Sequence, residues 1–224
     1  MPRKSAERDI ELIIEHVHRG GGGQPPARDD GGDGDNNRRR EPERPRYQRR
    51  YYTAIVIAMV AILIFFMALS AAYIVRRGSS SDWVAIRVPW ILWLNTAVLL
   101  TSSATLEFAR QKLADFRLRA FRQLWTLTTV LGVAFLIGQF LAWRQLEAQG
   151  IFIATNPASS FFYTFTGAHA AHLLGGVAVL LFVAFRKFEG TRLSRPVAAE
   201  ISSYYWHFMD ALWIFLLALI YIGR

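Results

Sequence analysis

At 224 residues the chain is long enough for one or two soluble domains, but 53% of its residues are hydrophobic and they gather in long runs, which points to lipid as the solvent. The net charge of +9 blends a polar N-terminal quarter with an apolar body and describes no single folded unit. No basic stripe with interleaved aromatics argues for nucleic-acid binding, and the absence of cysteine excludes a disulfide, a thiolate nucleophile, an iron–sulfur cluster and a cysteine-ligated metal.

Residues 1–50 contain Gly20 to Gly23, Pro25, Pro26, Gly31, Gly32 and the run Arg38, Arg39, Arg40, with few large apolar side chains. Such a segment cannot offset its ordering entropy, so a disordered, basic and Gly-rich cytoplasmic tail is expected. Ile10, Leu12, Ile13, Ile14 and Val17 allow a short amphipathic helix, either transient or a docking segment for a partner. No apolar core or small-residue cleavage site follows the first basic residues, so the start does not read as a signal peptide.

Residues 51–224 read as an all-α membrane protein, a bundle of five transmembrane helices. From Thr53 to Val75 no residue is charged, enough at about 1.5 Å per residue to cross a hydrocarbon core of about 30 Å. The remaining spans are expected at about 88–109, 123–145, 161–185 and 201–223, and only the fifth carries a charge deep inside its apolar run, at Asp210. Trp83 and Trp90 suit the membrane interface that precedes the second span. The runs are continuously apolar and lack the alternation a β-barrel requires. Of the 26 Lys and Arg, 21 fall in the tail and in the loops after the second and fourth spans, which by the positive-inside rule puts the N-terminus in the cytoplasm and the C-terminus on the opposite, periplasmic side of an inner membrane.

Polar groups inside lipid are costly, so each marks a helix contact or a function. His169 and His172 stand three residues apart in the fourth span, on one side of the helix. They are metal-ligand types, but two imidazoles without acidic or cysteine partners make an incomplete set, and interhelical or headgroup hydrogen bonding is the ordinary reading. In the fifth span Glu200, Ser203, His207 and Asp210 recur at three or four residues as a polar stripe. Asp210 calls for a partner, His207 or a histidine of the fourth span, with Gln139 and Asn95 as further members of the network. Glu107 and Arg110 are spaced for an interfacial ion pair. Small residues at Ala68, Ser70, Ala71 and Ala72, and at Gly167, Ala168, Ala171, Gly175 and Gly176, permit close helix approach. A structural polar core is the plainer account of the network, proton handling the other. No catalytic or metal-binding set emerges.

Taken in order, these strings resemble the five-helix form of heme-copper oxidase subunit III. Tyr205-Trp206-His207-Phe208 with Asp210, Trp213 and the preceding Glu200 is similar to that family's last-helix signature. Thr166 to His172, ending in Gly175-Gly176, is similar to its penultimate-helix motif. Leu94 to Leu100 with Ser102-Ser103 resembles an earlier helix, and Gly132, Phe135, Gln139 and Trp143 fit the helix between. The likeness covers about residues 52–224. It implies an accessory subunit without a redox centre in a cytochrome c oxidase of the aerobic respiratory chain, stabilising catalytic subunit I beside subunit II and other respiratory subunits. Haem and copper are then expected in the partner, bound phospholipid beside this chain, and a role in oxygen access and proton uptake. Two departures bear on that role. The seven-helix form has two further N-terminal helices where this sequence has its polar tail, and two positions at which the family often has carboxylates are Ile62 and Ala142 here. Three spanning-region histidines cannot supply two haems and a copper, which agrees with an accessory role. Alternatives are the corresponding subunit of a quinol oxidase or nitric oxide reductase, a small proton-coupled transporter using His207 and Asp210, and a scaffold acting through the basic tail, held by anionic lipid. A transporter would more usually show broken helices or internal repeats.

Overall fold

The structure is a computed structural model and describes residues 46–79, 83–84, 89–186 and 194–223. The expected tail and the Ile10 to Val17 stretch lie outside the described residues, apart from 46–50, which open the first helix. Five helices account for nearly all of the described chain: α1 (Arg46–Ser79), α2 (Ile91–Ala114), α3 (Leu118–Ala148), α4 (Pro157–Phe185) and α5 (Arg195–Ile222). All five are long and apolar enough to cross a membrane.

Most of the helices outrun the charge-free stretches by a few residues. Hydropathy marks the hydrocarbon, whereas a helix continues into the headgroup layer, where charged side chains are solvated. Thus α3 begins at Leu118 and takes in Arg119 and Arg122. The start of α4 is moved to Pro157 by a reciprocal cap, in which Asn156 Oδ1 accepts from Ser159 N at 2.9 Å and Ser159 Oγ accepts from Asn156 N at 3.1 Å. α5 likewise opens on Arg195-Pro196. α2 starts three residues later than its apolar run, beyond Pro89, whose carbonyl accepts from Leu92 N at 3.1 Å.

α2, α3, α4 and α5 form a ring in which each packs on its two neighbours, and α1 lies outside the ring against α4 and α5. The closest pairing is α2 with α3, because only Asp115, Phe116 and Arg117 join them. Phe116 turns the chain with φ of 57°, a left-handed conformation, and Arg117 N closes the end of α2 on Lys112 O at 2.9 Å.

Indole donors tie the helices together, since a buried Trp N–H needs an acceptor. Trp206 Nε1 donates to Ser102 Oγ at 2.9 Å, Trp213 Nε1 to Thr96 Oγ1 at 3.0 Å, Trp125 Nε1 to Leu180 O at 2.9 Å and Trp143 Nε1 to Thr166 Oγ1 at 3.0 Å. Trp206 is fully buried between two glycines: a Cβ on Gly132 would lie 2.6 Å from its ring, and one on Gly176 3.3 Å. Of the small residues expected to bring α4 close to its neighbours, Gly176 does so, while a Cβ on Gly167 or Gly175 would meet nothing within 4 Å. In α1 Ser70 is buried and Ala68, Ala71 and Ala72 are exposed.

Candidate functional site: two polar clusters within the bundle

The intramembrane polar residues divide into two groups. The first lies where α2 meets α5, toward the end at which α2 finishes and α5 starts. Arg110 Nη1 donates to Glu107 Oε2 at 3.0 Å, and His207 Nε2 stands 3.8 Å from the same oxygen. His207 Nδ1 and the Ser103 hydroxyl are 2.5 Å apart, and Arg110 Nη1 reaches Ser203 Oγ at 3.5 Å. The Arg110 guanidinium also lies over the Tyr204 ring, 5.8 Å from its centre. The Glu107–Arg110 pair is therefore part of a five-residue network that joins two helices. Ser103, its bridge, carries no hydropathy signal. Glu200 belongs elsewhere: its carboxylate accepts from Tyr52 on α1 at 2.5 Å and from Tyr204 at 2.8 Å, tying the ends of α1 and α5 together.

The second group is sealed inside the ring. Asn95 on α2, Gln139 on α3, His169 on α4 and Asp210 on α5 are each at most 5% exposed. Neither ring nitrogen of His169, neither side-chain polar atom of Gln139, neither oxygen of Asp210 nor Asn95 Nδ2 has a hydrogen-bond partner among the described residues. A chain of shared neighbours runs between these residues. The Phe135 ring, one turn below Gln139, contacts both His169 and Trp213, with ring centres 5.9 and 5.0 Å apart. His169 and Trp213 themselves lie 5.0 Å apart. Trp213 is bonded to Thr96, beside Asn95, and Asp210 is one turn before Trp213. Asn95 lies against α3 so closely that a Cβ on Gly138 would come within 2.0 Å of its Oδ1.

The two histidines of α4 face different surroundings, and Asp210 is hydrogen-bonded to neither of the partners expected from sequence. His169 and His172 share a side of α4 but straddle a seam. His169 points into the ring, whereas His172 packs on Phe66 of α1, ring centres 5.7 Å apart, and its Nδ1 is satisfied by Ala168 O at 2.7 Å. Asp210 lies on the stripe of α5 between Trp206 and Trp213, whose indoles are bonded to α2 hydroxyls. Ser103 of α2 is within reach of the Asp210 carboxyl, although the geometry falls short of a hydrogen bond and the hydroxyl is held by His207. Thr96 and Ser102 stand in the string that resembles an earlier helix of the family, but their bonds to the tryptophans of α5 were not anticipated, and Tyr52 was not singled out; nothing local marks these partners. Ile62 is half-buried and Ala142 fully buried, so neither position introduces a carboxylate into the bundle. Among the described residues no group of three or more His, Asp or Glu comes together in a form that could hold a metal ion.

Comparison with known proteins gives one family. The family model for cytochrome c oxidase subunit III matches residues 52–223, which is all of the five-helix region except the first six residues of α1. A Corynebacterium diphtheriae protein named cytochrome c oxidase subunit 3 is 36% identical over 140 residues, 61% of this chain and 66% of the relative. A Nocardia farcinica protein named probable cytochrome c oxidase subunit 3 is 37% identical over 133 residues, 58% of this chain and 64% of the relative. A Thermostichus vulcanus protein named cytochrome c oxidase subunit 3 is 32% identical over 165 residues, 69% of this chain and 78% of the relative. The chain thus spans just under two thirds of the length of the first two relatives.

Proposed function

Because the chain belongs to the cytochrome c oxidase subunit III family, we propose that it is an accessory subunit of a membrane-bound heme-copper terminal oxidase, without a redox centre of its own. In this reading it packs on the haem- and copper-bearing subunit I, beside subunit II, and supports its sustained turnover in aerobic electron transport. The carrying observation is the extent of the match: one family model runs from residue 52, within the second turn of α1, to beyond the end of α5, and so takes in part or all of every spanning helix. The polar clusters are assigned to architecture. The α2–α5 network fixes the register of two helices that are not consecutive in the chain, and the four buried residues put one polar side chain from each helix of the ring into its interior. Orientation in the inner membrane, N-terminus cytoplasmic, rests on the distribution of Lys and Arg. The apolar surface groove of Tyr51, Ala54, Ile55 and Ala58 on α1 with Val179 and Ile201, about 310 Å³ in volume, suits part of a lipid acyl chain.

The test is affinity purification of the tagged chain from mildly solubilised membranes, followed by optical spectroscopy. Co-purification of haem protein with a reduced-minus-oxidised oxidase spectrum is expected. A chain that migrates alone, with no haem at any detergent concentration tried, would defeat the proposal.

A further inference from the structure

The five spans are not buried in proportion to their polarity. α1 is the most apolar and has 11% of its most apolar stretch buried; α2 is the least apolar, yet has only 28% buried. An apolar helix with bare sides suits lipid. A polar one does not, because ionisable side chains within the membrane are stable only against protein or water.

The polar network lies on the bare side of α2. The side chains of Glu107 and His207 are 42% and 40% exposed, and that of Arg110 is 30% exposed. At the depth of Ser103 and His207 lipid headgroups are out of reach, whereas Glu107 and Arg110 lie nearer the end of α2. Ser103, which holds His207, is the thirteenth residue of α2, about 18 Å from its start and about 16 Å from its end. Ala104 of α2, next to Ser103, and Ala211 of α5, one turn after His207, are exposed, and such small residues let another backbone approach closely. α1 covers α4 and α5 but not this seam.

We infer that the α2–α5 seam, carrying Ala104, Glu107, His207 and Ala211, is where a transmembrane helix of the haem-bearing subunit docks, while α1 faces lipid. The inference rests on the function proposed above and assigns the face. The docking helix presents a hydrogen-bonding side chain at the depth of His207 Nε2 and Glu107, with apolar residues over the two alanines. A second copy of this chain, related by a two-fold axis along the membrane normal, would bring two copies of the same charged cluster to one depth, and the test below separates that outcome.

A photo-reactive amino acid placed singly at position 211 or 57, in the full complex in native membranes, tests this. Ile57 is an exposed residue of α1. Irradiation should join position 211, and not 57, to the haem-bearing subunit. The double variant Ala104→Trp with Ala211→Trp should lower the haem recovered per chain at least tenfold, while Ile57→Trp leaves it unchanged. An adduct to that subunit from 57 alone, an adduct from 211 to a second copy of this chain, or full haem recovery by the double tryptophan variant would overturn the assignment. Where the parent chain recovers haem and the adducts come from α1, only the face is wrong. Where the parent recovers none, the proposed function fails and the docking face with it.

Discussion

Gly138→Ala is the smallest change that tests how the ring is packed. The added methyl would stand 2.0 Å from Asn95 Oδ1 and 2.9 Å from Nδ2, well inside contact distance, and Asn95 is only 3% exposed, so its amide has little room to turn aside. Overpacking of this kind costs about 1–3 kcal/mol. α2 and α3 are also the most closely paired helices, so moving the backbones apart would loosen the whole hairpin. Asn95→Ala removes the obstruction and leaves a small void, which the methyl introduced by Gly138→Ala would partly fill. The double variant should therefore be more stable than the sum of the single changes by at least about 1 kcal/mol. SDS titration in mixed micelles, followed by tryptophan fluorescence, measures all three. A Gly138→Ala protein within about 0.3 kcal/mol of the parent, or strictly additive effects, would show that the two helices do not meet as described.

Trp206→Phe should destabilise the chain by about 1–3 kcal/mol through the lost Ser102 bond, more with the void between Gly132 and Gly176, and the same titration would show it. Phe116→Gly should gain about 1 kcal/mol, because Phe116 is 90% exposed and held at positive φ; thermal scanning in detergent should record a small rise in melting temperature. Asp210→Asn paired with His169→Leu should be additive, whereas Asp210→Asn paired with Ser103→Ala should couple by about 0.5 kcal/mol or more, since Ser103 is within reach of the Asp210 carboxyl; coupling to His169 instead would give it a partner on α4. Glu200→Gln keeps a carbonyl acceptor for the Tyr52 and Tyr204 hydroxyls and should assemble normally, while Glu200→Leu should loosen the start of α1 and expose it to added protease.

The helices were legible because lipid leaves a chain no other choice. A charge-free run such as Thr53 to Val75 must satisfy its backbone internally, and hydropathy alone identifies it. Helix ends were less legible for the same physical reason turned round: outside the hydrocarbon, Arg119 and Arg122 cost nothing, so apolarity no longer reports where α3 begins. Local chemistry does report it in places. The Asn156-Pro157 start with Ser159 three residues on marks the first turn of α4 without reference to hydropathy.

The polar residues were legible one at a time and their partners were not. Each of Asn95, Gln139, His169 and Asp210 announces itself by its cost in lipid, but the cost is the same whichever helix it faces. Azimuth decides the partner, and azimuth comes from groups that hydropathy ignores. The hydroxyls of Thr96 and Ser102 accept the two indoles of α5, and those bonds turn the stripe that carries Asp210 toward α2. A three-residue turn makes α2 and α3 neighbours almost by necessity, whereas α2 and α5 are separated by two whole helices, and no spacing within either predicts their contact. The half-exposed Glu107 and His207 carry that logic one step outward. A polar group in a membrane faces protein or water, and because five helices leave these two half-exposed, the seam they occupy is the one assigned to another chain.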